Sequence, residues 1–190
     1  MMIVGWQKKK IMFPLQLVHL DLFGPSRYSC LSGKYYAFFI VDDYFRYTWV
    51  LFLADKHDAF DAFKVFCKKV QNEKGYVISC IKSNHGEEFE DHAFESFCNN
   101  FGILHHLSSP RTPQQNGVVE RKNKFVQEMA RTMMNENVLP KYFWAEAINI
   151  ACYVLNCVLI RSYLNKNPYE LWKDRKPNII SKFLDTKVLY

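Results

Sequence analysis

The stretch YYAFFIVDDYFRYTWVLFLA, residues 35–54, decides the fold of this chain. It contains two runs rich in aromatic and β-branched residues, 35–44 and 47–54, joined by a short polar link. Such runs favour β-strands, and the short link favours an antiparallel pair. Upstream, QLVHLDLFG at 16–24 has strand character and stops at a Gly-Pro turn signal. The sequence therefore predicts a three-stranded antiparallel meander.

After the meander, the hydrophobic pattern takes the period of a helix. Between residues 56 and 74, Phe60, Phe63 and Val70 recur on one face, and Gly75 ends the pattern. The elements predicted next are an extended run at 76–84, a helix at 91–102, a short strand at 103–109, a polar loop at 108–117, a helix at 118–137, a long apolar helix after Pro140 and a short helix from Pro168 to before Pro177. The order of elements predicts an α/β protein.

The composition bounds the class of protein. The chain has 190 residues, of which 49% are hydrophobic and 16% aromatic. That is enough for one good core, so we expect one domain with short extensions. The formal charge of +6 is compatible with a polyanionic partner, although ordinary soluble proteins reach the same excess.

Six cysteines without a C-x-x-C pair indicate reduced thiols rather than a disulfide framework. No segment has the apolar core of a signal peptide or the ~20 apolar residues of a membrane span. We therefore expect a soluble intracellular protein with no membrane partner.

Three positions are candidates for chemistry. Asp21 stands at the end of the first predicted strand, and Glu120 opens the helix after the polar loop. In KSNHGEEF, residues 82–89, Asn84 ends the fourth predicted strand. This order of elements is typical of the ribonuclease-H-like fold, in which acidic residues converge from strands one and four and from a later helix. Here, the second of these positions is an amide.

Several motifs occur in order between residues 16 and 178: LVHLDLFGP, FIVDDYFRYTWVLFL, SPRTPQQNGVVERKN, LPKYFWAEA and NPYELWKDRKPN. On these motifs the chain resembles the integrase catalytic core of Ty1/copia-type long-terminal-repeat retrotransposons, within the retroviral-type integrase family. So many motifs in order are a specific signal. The resemblance implies a ribonuclease-H-like fold with a mixed five-stranded sheet, the meander plus two further strands, flanked by helices.

The resemblance also suggests how the chain is divided. We expect a remnant linker at 1–15, the catalytic core at 16–137 and a C-terminal helical extension at 138–190. A zinc module before the core and the usual continuation after it are implied by the family, but neither flank supplies their patterns. We therefore expect a truncated core whose assembly on transposon ends is impaired.

The resemblance implies a catalytic site of two Asp and one Glu, which falls on Asp21, position 84 and Glu120. Two Mg²⁺ or Mn²⁺ ions are expected there, with Asp21 and Glu120 as metal ligands, because hard cations prefer carboxylate oxygen. Asn84 keeps an oxygen in a similar volume but removes one negative charge. Glu87 lies too far beyond the strand end to replace it without a rearranged turn. We expect weakened metal binding and a weak or inactive enzyme.

The partner implied by the resemblance is DNA, and no small-molecule substrate is expected. The candidate nucleic-acid-binding residues are Arg121, Lys124, Gln127 and Arg131 on the helix after the loop, and Gln114, Gln115 and Asn116 in the loop. The helix residues at positions 124, 127 and 131 continue from Glu120 as one polar stripe. A solvated helix face and an ordinary polar turn would have the same patterns.

Two other polar pairs have structural interpretations. Asp42 and Asp43 are expected to hold the turn after the second strand by side-chain to backbone hydrogen bonds. His105 and His106 are adjacent, so in a strand they point to opposite faces and cannot bind one metal together. No zinc site is expected.

The leading functional hypothesis is an integrase-core protein of retrotransposon origin, built for DNA integration by metal-dependent polynucleotidyl transfer and impaired at Asn84. The alternative is a non-catalytic DNA-binding or dimerising remnant, which makes a homodimer one expected partner. A nuclease with one weakly held metal and a protein with no nucleic-acid role are further alternatives. The expected location is intracellular, and nuclear for a chain that acts on chromosomal DNA.

Overall fold

Five strands form one mixed sheet in the computed structural model, which describes residues 11–108 and 117–178. The strands are β1 (Val18–Phe23), β2 (Tyr36–Asp42), β3 (Thr48–Leu53), β4 (Cys80–Ser83) and β5 (Leu104–Leu107). Their order across the sheet is β3-β2-β1-β4-β5. The pairs β1–β2 and β2–β3 are antiparallel, whereas β4 runs parallel to both β1 and β5. The predicted meander with two further strands is confirmed.

The helices come after β3, β4 and β5 along the chain, in the predicted order. They are α1 (Asp58–Lys74), α2 (His92–Asn100), α3 (Gly117–Glu136), a 3-10 turn (Lys141–Phe143), α4 (Trp144–Val158) and α5 (Pro168–Lys173). Gly75 ends α1 as predicted, in the left-handed conformation with φ of 70°. Asn167 and Glu170 cap α5 reciprocally at its start.

Two elements differ from the sequence-based expectation. Residues 76–79 do not belong to β4, because strand pairing starts only at Cys80, opposite Leu104 of β5, and at Ile81, opposite Val18 of β1. The helix expected directly after Pro140 starts as a 3-10 turn, in which the Phe143 N–H donates to the Pro140 carbonyl. Regular α-helix begins only at Trp144.

Helices cover both faces of the sheet, since successive strand residues point to opposite sides. Phe38 and Ile40 of β2 pack in one hydrophobic cluster with Phe63 of α1 and Phe94 of α2. Phe39, between them, packs in a second cluster with residues of α3 and α4. The sheet is therefore the middle layer, and β1 at its centre is held between two cores.

The last helix is anchored by Trp172, which is fully buried. Its ring packs edge-on against Trp49 of β3 with centroids 4.7 Å apart, and its Nε1 donates to Glu73 of α1 at 3.1 Å. The C-terminal helices thus share a core with the meander. The division into a core at 16–137 and an extension at 138–190 stays a prediction.

The turn between β2 and β3 is built on Asp42. Its buried carboxylate accepts the backbone N–H groups of Leu15 at 2.8 Å and Phe45 at 2.7 Å, which confirms the structural role expected from the sequence. Asp43 instead contacts side chains, including that of Arg46 at 3.3 Å. The first of the two acids therefore carries the backbone bonds.

None of the six cysteines, which all lie in the described ranges, forms a disulfide, as the missing C-x-x-C pattern predicted. Within residues 11–108 and 117–178, no helix combines the length and the apolar character needed to cross a membrane.

Candidate active site

Asp21 and Asn84 lie side by side near the centre of the sheet. β1 and β4 are parallel neighbours with His19 opposite Lys82, so Asn84, which directly follows β4, comes beside Asp21 of β1. The Asn84 Nδ2 donates to Asp21 Oδ1 at 3.3 Å. Because β1 continues to Phe23, Asp21 lies inside the strand and not at its end as predicted. The first two predicted site positions are thus in contact.

A third side chain that the sequence analysis missed completes this contact. Asn123 of α3 is buried, and its Nδ2 donates to Asp21 Oδ2 at 2.6 Å. Gln127 Nε2 in turn donates to Asn123 Oδ1 at 2.6 Å. Asn123 stands three residues after Glu120 and therefore on the same face of the helix. That spacing is the signal by which it could have been found.

The Asp21 carboxyl is held in a setting that disfavours its charge. Burial, the largest cause, raises the pKa of Asp21 to about 6, because a buried carboxylate loses its hydration. The Asn123 hydrogen bond lowers this pKa, whereas the negative charges of Glu120 and Glu88 raise it further. Among the described residues, no cationic side chain is a main influence on this pKa. A bound cation would therefore stabilise the charged form.

The other acids near the site have different surroundings. Glu120 lies in the first turn of α3, as predicted, and its charge reaches Asp21. Glu88 acts on the same carboxyl. Glu87 pairs with Lys56, and its side chain is 80% exposed. The exposure of Glu87 and its ion pair with Lys56 do not support a role in place of the acid expected at position 84.

Oxygen donors for a divalent cation are present but few. In the described ranges, no three His, Cys, Asp or Glu side chains come close enough together to hold a metal ion. Asp21 and Glu120 supply carboxylates, and Asn84 Oδ1 is buried with no hydrogen-bond partner among the described residues. Hard cations accept amide oxygens as ligands. The residues fit a divalent cation held with one negative charge fewer than three carboxylates would provide.

The predicted nucleic-acid-binding residues of α3 differ in how free they are. Arg121, Lys124 and Arg131 are exposed, whereas Gln127 is half-buried and bound to Asn123. The three remaining predicted residues, Gln114, Gln115 and Asn116, lie outside the described residues. Exposed cations thus flank the carboxylate site on one helix.

The sequence and the fold were compared with known proteins. Residues 13–113 match the family described as the integrase core domain. The chain is 38% identical over 142 residues to the retrovirus-related Pol polyprotein from transposon TNT 1-94 of Nicotiana tabacum. The aligned region covers 75% of this chain and 11% of that relative. It is 30% identical over 165 residues to the Pol polyprotein from transposon RE2 of Arabidopsis thaliana, which covers 87% of this chain. The chain spans 11% of the length of each relative.

Two solved structures share the fold. The simian T-cell lymphotropic virus intasome, in complex with PP2A regulatory subunit B56 gamma, matches with a TM-score of 0.67 and 17% identity over 90% of this chain and 58% of that one. The HTLV-2 integrase catalytic core domain in complex with magnesium, in its trimeric form, matches with a TM-score of 0.61 and 19% identity over 86% of this chain and 99% of that one. At these identities the likeness shows the fold alone.

Proposed function

The chain belongs to the integrase core domain family of retrotransposon Pol polyproteins, and from this premise we propose that it is a DNA strand-transferase core with impaired catalysis. The observation that carries the proposal is the hydrogen bond from Asn84 Nδ2 to Asp21 Oδ1. The amide directs a donor at Asp21 Oδ1, the carboxylate oxygen that Asn123 leaves open to a cation. Its oxygen is neutral, so the site attracts a divalent ion less strongly.

The roles proposed for the chain's own residues follow from their contacts. When bound, Mg²⁺ or Mn²⁺ would be held by Asp21, Glu120 and the Asn84 oxygen, and would polarise a scissile phosphate. Asn123 fixes the orientation of the Asp21 carboxylate through the 2.6 Å bond, and Gln127 fixes Asn123 in the same way. Burial around Asp21 keeps competing water away from the carboxylate.

DNA is the proposed partner, with Arg121, Lys124 and Arg131 contacting backbone phosphates. The exposure of these cations beside the carboxylate site supports this role. We propose that Gln114, Gln115 and Asn116 contact the same DNA. We also propose that the chain self-associates as a homodimer and that a chain acting on chromosomal DNA is nuclear. Imaging of a fluorescent fusion would test the location.

The test of impaired catalysis compares the native chain with Asn84→Asp. Nicking and strand transfer on a DNA oligonucleotide are measured with Mg²⁺ and with Mn²⁺. We expect Asn84→Asp to be at least about tenfold faster, which corresponds to about 1.4 kcal/mol of transition-state stabilisation. Asn72→Asp, which makes the same charge change at an exposed position of α1, should not gain activity.

A second readout separates metal binding from chemistry. Mg²⁺ should raise the melting temperature of Asn84→Asp more than that of the native chain, because ligands stabilise the state that binds them. Equal activity of the native chain and Asn84→Asp would contradict the proposed impairment. If neither chain is active but Mg²⁺ raises the melting temperature of Asn84→Asp alone, a further defect lies outside the metal site.

The exposed cations of α3 also support a non-catalytic DNA-binding protein as a second candidate. Such a protein would bind duplex DNA with an affinity that falls steeply with salt, whatever residue stands at position 84. Fluorescence anisotropy with a labelled duplex at several salt concentrations measures this. DNA binding by a chain that stays inactive after Asn84→Asp would favour this candidate.

A further inference from the structure

A second cationic feature lies on α3, away from the carboxylate site. A cavity of about 270 Å³ lies where the first turns of α3 meet the end of α4 and the β2–β3 turn. We call it the Lys122 pocket, and its lining residues are Arg46, Val118, Arg121, Lys122, Phe125, Leu155 and Leu159. These described lining residues include three cations and no acid. The pocket is therefore positively charged with an apolar wall.

The Lys122 pocket and the carboxylate site lie on opposite faces of α3. Val118, Lys122 and Phe125 are spaced by four and three residues, so they share one helix face. Glu120 and Asn123 also share a face, and at 3.6 residues per turn it lies on the other side of the helix axis. A ligand in the pocket is therefore separate from the group that the carboxylate site would bind.

Two nitrogen atoms of the pocket lack partners. Arg46 Nε and Lys122 Nζ are buried and have no hydrogen-bond partner among the described residues. Burial, together with the charges of Arg46 and Arg161, lowers the pKa of Lys122 to about 8. Lys122 thus remains mainly protonated at pH 7. Arg46 has the Asp43 carboxylate as its counter-charge, whereas no acid is a main influence on Lys122. A buried cation without a counter-charge is costly, so an anion beside Lys122 would be stabilising.

The neighbouring guanidinium groups are already fixed in place. Arg161 donates from Nε to the Tyr44 carbonyl and from Nη2 to the Asp43 carbonyl, both at 3.1 Å. Arg46 Nη2 is held by Asp43 Oδ1 at 3.3 Å. Groups ordered before binding lose little conformational freedom when a ligand arrives. Arg46, which lines the pocket, and Arg161 beside it are therefore ordered before a small anion with several acceptor oxygens binds.

We propose that the Lys122 pocket binds a phosphate group, supplied either by a DNA backbone or by a free phosphate. A phosphate offers several acceptor oxygens, and guanidinium groups bind it with strong charge-assisted hydrogen bonds. A bound phosphate would supply hydrogen-bond acceptors to Lys122 Nζ and Arg46 Nε, which have none among the described residues. Only the DNA source rests on the proposed function, whereas the phosphate site itself does not.

The first test uses inorganic phosphate as the probe. The melting temperature of the full chain is measured in sodium phosphate and in sodium chloride of equal ionic strength at pH 7. Phosphate at about ten times its Kd should raise the melting temperature by about 3–6 °C. In Lys122→Met this rise should disappear, while the melting temperature in chloride stays equal or increases, because an unpaired buried charge is removed.

Two further variants keep this test decisive. Lys69→Met removes an exposed lysine of α1 and should keep the full phosphate response. Arg121→Gln changes an exposed lining residue that does not endanger folding, and it should weaken the response. Absence of a phosphate-specific rise in the native chain, or an undiminished rise in both Lys122→Met and Arg121→Gln, would overturn the proposal.

The second test identifies the source of the phosphate. Binding of a labelled duplex is measured by anisotropy for the native chain, Lys122→Met and Lys69→Met. Binding about tenfold weaker in Lys122→Met alone would assign the pocket to the DNA backbone, since one lost phosphate contact can have this effect. Unchanged DNA binding with a lost phosphate response would assign it to a free phosphate. Neither result depends on strand transfer by Asn84→Asp, so failure of one proposal is distinguishable from failure of the other.

Discussion

At the scale of single residues, the carboxylate site depends on amides that hold a buried acid. Asn123→Ala removes the donor to Asp21 Oδ2 and leaves Gln127 Nε2 without its acceptor. We expect the free energy of unfolding to fall by about 1–3 kcal/mol, as for other buried groups left unpaired. Urea denaturation measures this free energy.

Asn135→Ala, exposed on the same helix, is the control and should change the free energy of unfolding by less than about 0.5 kcal/mol. Equal effects of the two substitutions would refute this role for Asn123.

Asp42 predicts a dependence of stability on pH. Burial, the largest cause, raises the pKa of Asp42 to about 6 in the folded chain, above its value in the unfolded chain. The folded state therefore holds the proton more tightly between about pH 4 and 6, and stability falls as pH rises through that window. Relative to Asp42→Asn, the native chain should lose about 2–3 kcal/mol between pH 4 and pH 7.

The measurement is urea denaturation of both chains across this pH range. Only the difference between them is interpreted, because the raised pKa of Asp21 acts in the same direction in both. A constant difference from pH 4 to pH 7 would contradict the raised pKa of Asp42. The sequence predicted that Asp42 would bind backbone N–H groups, but it did not predict the burial that raises the pKa of Asp42.

The neighbourhood of Asp21 and Asn84 could be predicted because it follows from strand order alone. Parallel pairing of β1 with β4 brings these positions together whatever the helices do. Asn123 and Lys122 were harder to interpret, since their environments depend on how α3 packs against β1 and α4. Helical periodicity tells which residues share a face, but not whether that face meets a carboxylate or a cavity.

At the scale of elements, α4 protects the edge of the sheet. β3 is an edge strand, and Asn156 of α4 accepts the Thr48 N–H at 2.9 Å and donates to the Thr48 carbonyl at 2.8 Å. Asn156→Ala leaves the buried Thr48 N–H unpaired and the Thr48 carbonyl with only the weak donor Cys152 Sγ, at 3.3 Å, so we expect a loss of about 1–3 kcal/mol. Val158→Ala, exposed on the same helix, is the matched control for urea denaturation. If Asn156→Ala and Val158→Ala both lower the free energy of unfolding by a similar small amount, water replaces the Asn156 amide.

The type and order of the elements could be predicted, but some of their ends could not. The sequence at 76–84 has strand character throughout, yet Tyr76 and Val77 are exposed and only Cys80–Ser83 form β4. A strand exists only where a neighbour pairs with it, and the first residues of β5 and β1 set that limit. A run of strand-forming residues by itself shows neither burial nor pairing, which explains the difference.

At the scale of the whole molecule, the C-terminal helices complete both cores. α4 contributes Trp144, Ile148 and Leu155 to the cluster on one face of the sheet, and Trp172 of α5 is buried in the other. A chain ending at residue 137 would expose both sets of partners, whereas a chain ending at residue 178 keeps them. Burial of large side chains supplies most of the stability of a domain of this size.

We therefore expect the chain 1–137 to lack a cooperative urea transition and the chain 1–178 to show one. Trp172→Ala in the full chain should cost about 3–5 kcal/mol, because it removes a large side chain from a fully buried place. Tyr163→Ala, at an exposed aromatic, serves as the control. A cooperative transition and native near-ultraviolet circular dichroism in the chain 1–137 would instead show that residues 16–137 fold alone. In that case, the predicted boundary at residue 137 would separate two parts that fold independently, and the C-terminal helices would not be needed to complete the core.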